Sequence, residues 1–248
     1  MHKIIFLILL STLFISLINT KDVFVFAHNF DTDDNSSFLT LINKLIIENQ
    51  LLNDSISNRN NHNLNSFEYT KNIENILEEI LISENSFTID SDQFYNNTVI
   101  ALVLANLADE VLKNYGHALG VPSNIMLSMN FSNVTSGLNY SNTTTNIIVH
   151  SSHMPNHENA ISTAVIDDSS YHSALEISDR IIEIYNSELK ASSSNSASIN
   201  KAKSNLGGAL YDLRKHIENK ERPFKIMEDV HGRIHPNLQI AFNLTLRR

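Results

Sequence analysis

An all-α fold, an up-down bundle of about five main helices with one long flexible central loop, is the architecture this sequence predicts. Three observations carry it. Apolar residues recur at helical spacing through most of the chain. Polar runs rich in Asn and Ser separate those stretches. Six Gly and four Pro in 248 residues are too few to punctuate the many turns of a sandwich or barrel.

The elements follow in order. Asn35-Ser36 is a helix-cap candidate ahead of Phe38, Leu41, Ile42, Leu45, Ile46 and Leu52, and a polar break from 53 to 65 ends that pattern. Ile73, Ile76, Leu77, Ile80 and Leu81 form a second stripe, with Glu78 and Glu79 on its wet side. Asp90-Ser91 is the cap candidate of a third helix, which Ala101, Leu104, Leu107, Ala108, Val111, Leu112 and Tyr115 line. Gly116 or Gly120 stops it, with Pro122 beyond. From 121 to 168 no period is sustained, and a stretch that long is usually functional or unstructured. Helical spacing resumes at Tyr171, Leu175, Ile182, Tyr185 and Leu189, then at Ile199, Leu206, Leu210, Leu213 and Ile217. Gly207-Gly208 inside the latter cost about 1 kcal/mol each relative to Ala, which implies close packing of a neighbour. Pro223 opens a last short helix through Phe224, Met227 and Val230, and Pro236 ends or restarts it.

The N-terminus reads as an export signal. Lys3 gives a basic start and residues 4–18 carry no charge, a length that suits a signal sequence and is short of the ~20 residues of a membrane span. Cleavage after Val25-Phe26-Ala27 would make 1–27 the signal peptide and 28–248 a single helical-bundle domain; an uncleaved anchor is the alternative, and the only expected membrane contact. Eight Asn-x-Ser/Thr sequons fit an exported chain: Asn35, Asn53, Asn96, Asn130, Asn133, Asn139, Asn142 and Asn243. Several arise by chance among 33 Asn residues, but four fall within 130–144 and mark an exposed, glycosylated loop. With no Cys, disulfides, thiolate metal sites and a Cys nucleophile are excluded. A formal charge of −9 argues against nucleic acid and anionic lipid as partners.

Candidate ligands are histidines. His28, if it is the mature N-terminus, offers an amine and an imidazole that chelate Cu(II) as a histidine brace; otherwise it is a solvated residue near the chain start. His150, His153 and His157, flanked by Met154, place three imidazoles within eight residues, either as a loose Cu or Zn site or as a His-rich polar loop. His231 and His235 share one face of a helix, and Gly232 and Pro236 weaken it, which favours a place at a helix terminus near its C-terminal dipole over ligation. Asp167-Asp168 and Glu78-Glu79 read as a cap and a solvated face. No Gly-x-Ser-x-Gly, phosphate loop or His-Glu-x-x-His occurs, so no catalytic residue is assigned and nothing supports hydrolysis or nucleotide chemistry.

Three stretches carry a resemblance: Ala27-His28-Asn29-Phe30, then Leu107-Ala108-Asp109-Glu110-Val111-Leu112-Lys113-Asn114-Tyr115-Gly116, then Val230-His231-Gly232-Arg233-Ile234-His235-Pro236-Asn237-Leu238 with Ala241-Phe242-Asn243-Leu244. Together they resemble a family of exported, Asn-rich helical proteins of ammonia-oxidising archaea (Thaumarchaeota). The resemblance implies the outer face of an archaeal cell, N-glycosylation and a copper-demanding physiology. It supplies no activity. That family often carries a Met-rich segment where this chain has Gly120 to Pro155, with fewer Met and added His. The expectation is therefore a non-enzymatic binding or accessory protein. It would hold copper through His/Met ligands, or serve as a helical subunit beside a copper-dependent membrane protein complex. A structural glycoprotein without metal is the rival, and a copper redox enzyme with a His28 brace the third reading.

Overall fold

The computed structural model describes residues 33–57, 66–83, 87–128, 164–192 and 194–245, and no strand occurs among them. Helix α1 spans Asp34–Ser57, α2 Ser66–Ser83 and α3 Asn97–Ala118; a short α4, Ser123–Met126, follows. Beyond the central segment come α5, Asp168–Ile184, α6, Ala197–Glu218, α7, Pro223–Met227, and α8, His235–Phe242. A π turn, Tyr185–Leu189, extends α5, and a second, Glu228–Ile234, joins α7 to α8 as one continuous C-terminal arm. None of the described helices is long and apolar enough to cross a membrane.

Helix α3 is central because it is apolar over most of its circumference. Val99 to Ala105, Leu107, Ala108, Val111, Leu112, Tyr115 and Ala118 are buried, and a narrow polar side of Asn106, Glu110, Lys113, Asn114 and His117 is half-buried to exposed. It packs most extensively on α5, and α5 on α6; the arm packs on both α6 and α3 and closes a ring of four. Helix α1 lies against α3 and α5, and α2 against α1.

The caps fall beside the residues that the spacing predicts. Asp33, not Asn35, caps α1: its Oδ1 accepts the Ser36 N–H at 2.6 Å. Asp90 caps only a 3₁₀ turn, Ser91–Gln93, by accepting the Asp92 N–H, and Asn96 caps α3 by accepting the Thr98 N–H at 2.9 Å. Gly120, at φ +70°, ends α3 in a Schellman motif, with Val121 N–H on the Gly116 carbonyl and Gly120 N–H on that of His117. Gly116 instead makes room for a neighbour, since a Cβ there would stand 2.5 Å from Met126 Cγ and 2.9 Å from the Val121 oxygen. Asp167 is the cap of α5, its carboxylate bonded to Ser169 and Ser170.

The pair Gly207-Gly208 divides. A Cβ at Gly207 would meet the Tyr185 ring at 3.0 Å, and Tyr185 is fixed there because its hydroxyl donates to the Lys203 carbonyl at 2.7 Å. Gly208 faces open space.

Candidate metal centre

Asp109 lies on the buried side of α3, among Leu107, Ala108, Val111 and Leu112, where a carboxylate is largely cut off from water. Burial pushes its carboxyl up to about 8, against the pull of Lys113. For the next residue, Glu110, burial acts in the same direction, but Lys44 at 3.3 Å and Lys113 at 2.7 Å outweigh it and hold that carboxyl at about 2. Two adjacent carboxylates are thus driven apart by whether a cation can reach them.

The arm brings two imidazoles to Asp109. Pro236 has no N–H to offer the helix, and the π turn accommodates that loss: the His235 N–H reaches back five residues to the Val230 carbonyl, and α8 starts with Pro236 in its first turn. His231 and His235 therefore sit side by side in the middle of an unbroken arm, ring centroids 5.4 Å apart and interplanar angle 67°. This corrects the expectation of a helix terminus: the arm continues past both residues, and they are 4% and 1% exposed. The opposite face of the same turn is tied to α6. Asp229 accepts from His216 Nδ1 and from Arg233, and Arg233 also donates to Asp212 at 2.6 Å. One face of the arm is clamped to α6 by ion pairs, and the other presents both imidazoles to α3.

Asp109, His231 and His235 each offer one ligand atom, and these atoms all lie within 4.8 Å of one another. His235 Nε2 stands 3.5 Å from Asp109 Oδ1. A tetrahedral centre with bonds of about 2.1 Å separates neighbouring ligand atoms by about 3.4 Å, so that edge already has the right length. Asp109 Oδ1 is buried and accepts no hydrogen bond from the described residues, as suits a ligand atom. Nε2 of His231 lies 3.2 Å from the Met126 carbonyl, which can only accept, so this nitrogen carries the ring proton. Two imidazoles and a carboxylate are a donor set for Zn(II), Cu(II) or Fe(II) rather than for hard cations.

Of the residues singled out in sequence, the structure brings together His231 and His235 and adds Asp109. His28, His150, His153, Met154 and His157 lie outside the described residues, as do Asn130, Asn133, Asn139 and Asn142. Asn53, Asn96 and Asn243 are exposed. Asn35 is buried, and its Oδ1 accepts the Asp90 N–H at 2.8 Å, tethering residues 87–90 to the start of α1. The sequence did hold a signal for Asp109: an acid set among Leu107, Ala108, Val111 and Leu112 must be buried, and a buried acid needs a partner. Comparison with protein-family models, curated proteins and solved structures finds no match to this chain.

Proposed function

We propose that this chain is an exported, non-enzymatic metal-binding protein that holds one divalent transition-metal ion between Asp109, His231 and His235, and serves as a helical accessory subunit on the outer face of the cell. The observation that carries the proposal is the convergence of three buried donors from α3 and the arm at ligand-like spacing. Burial argues for holding an ion rather than for chemistry on a substrate, because a catalytic metal keeps a position open to solvent. The apolar stretch at residues 4–18 supports export, and the resemblance to exported archaeal proteins supports a cell with copper in its physiology.

Calorimetric titration of the full chain tests this. Cu(II) should bind more tightly than Zn(II), as the stability order for nitrogen and oxygen ligands requires. Asp109→Asn should remove the site, and the triple substitution of His150, His153 and His157 by Ala should leave it. The reverse pattern would move the metal to the central segment, and no uptake of either ion would leave a structural glycoprotein as the better account.

A further inference from the structure

A short helical turn adjoins the metal site without contributing a side chain to it. Helix α4, Ser123–Met126, begins directly beyond the Schellman motif of α3, and Met126 packs back over Gly116 with its Cγ 2.5 Å from where a Cβ would stand. From there the Met126 carbonyl faces Nε2 of His231. A carbonyl that takes the Nε2 proton leaves the lone pair of a neutral imidazole on Nδ1. Carbonyls placed behind a ligating ring in this way orient it and fix its tautomer in metal sites generally. Resting on the metal reading under Proposed function, we propose that the ion is held through Nδ1 of His231, Nε2 of His235 and the Asp109 carboxylate, and that Gly116, by letting Met126 seat its carbonyl on His231, sets the affinity.

Three features converge on this assignment. His235 approaches Asp109 through Nε2, so one ring ligates through its far nitrogen and the other through its near one. The backbone around Met126 is fixed by Met126 N–H on the carbonyl of Pro122, the cap of α4, and by Leu127 N–H on the Ser123 carbonyl within the turn, which makes the Met126 oxygen a fixed acceptor. Gly116 lies in the last turn of α3 and does not take the left-handed conformation that favours glycine at Gly120, so its presence is explained by what it lets approach.

The test uses the ¹⁵N-labelled full chain with one equivalent of Zn(II), read by long-range ¹H–¹⁵N correlation of the imidazoles. The expected spectrum has zinc on Nδ1 and the proton on Nε2 for His231, and the opposite arrangement for His235. The metal-free chain should already show the Nε2–H tautomer at His231. Zinc on Nε2 of His231, or an Nδ1–H tautomer without metal, overturns the inference while leaving metal binding intact. Failure to take up Zn(II) at all overturns the metal reading and this inference together. A second arm compares Gly116→Ala with Gly208→Ala, a helix glycine with open space around it. Gly116→Ala should weaken Zn(II) binding by about 10- to 100-fold, the usual effect of displacing a group that orients a ligand, with Gly208→Ala unchanged. Wild-type affinity in folded Gly116→Ala would refute the positioning role, and should that variant fail to fold, the nitrogen assignment decides alone.

Discussion

His235 Nε2 and Asp109 Oδ1 face each other at 3.5 Å across the seam between the C-terminal arm and α3. The pair can act as a buried ion pair or as two sides of a metal site, and the two roles differ in what removing the charge does.

Asp109→Asn separates them. A buried ion pair that loses one partner typically costs 3–5 kcal/mol, on the order of the cost of leaving the other charge stranded. A ligand carboxyl without its metal is instead kept largely protonated by burial, and a neutral amide of the same shape replaces it at little cost. In excess chelator, Asp109→Asn is expected to unfold no earlier than the wild type in thermal denaturation. A loss above about 2 kcal/mol would identify Asp109 as the structural partner of His235.

Gly207 and Gly208 make a matched pair on one helix. A Cβ at Gly207 would meet the edge of Tyr185 at 3.0 Å, and the Tyr185 hydroxyl is anchored on Lys203, so the ring cannot yield freely. Gly207→Ala should destabilise by about 1–3 kcal/mol, as overpacking does. Gly208→Ala meets nothing and should stabilise by about 0.5–1 kcal/mol through helix propensity. Chemical denaturation of both variants checks the pair, and equal shifts would contradict this packing.

Asp167 gives a pH dependence with a definite sign. Partial burial raises its carboxyl, but hydrogen bonds from Ser169 and Ser170 outweigh that and lower it below the usual carboxylate range. A folded-state pKa below the unfolded one contributes stability that is complete above about pH 4 and is lost as pH falls through the folded value. Asp167→Ala should cost about 1 kcal/mol at neutral pH, and the difference from wild type should shrink below about pH 4. A difference that stays constant down to pH 2 would mean the cap bonds do not distinguish the charged form.

The sequence conveys the helices well and their facing less well. The stripe of α3 and the tail of α6 are legible because their buried positions are apolar. For α1 the apolar pattern points one face too far round. Ile42 and Leu45 are only half-buried and Ile46 is exposed, whereas Ser36, Thr40, Asn43 and Glu48 point inward. Those polar residues pass as surface in a hydrophobicity pattern, yet three of them have partners from distant segments that the pattern cannot show. Thr40 accepts from Asn106, Asn43 accepts from Arg180 at 2.8 Å, and Glu48 accepts from Asn72 and Ser173. The same limit applies to the candidate centre. The spacing of His231 and His235 is visible in the sequence, but Asp109 lies more than a hundred residues away, and only the fold sets it beside them.

Metal content after equilibrium dialysis of the full chain against Zn(II) tests the central claim most directly, with Asp109→Asn and His235→Gln as near-isosteric controls. One tightly held ion per wild-type chain, none in either variant, and unchanged helicity in all three is the predicted result. Wild-type content retained in both variants would contradict a centre built from Asp109, His231 and His235.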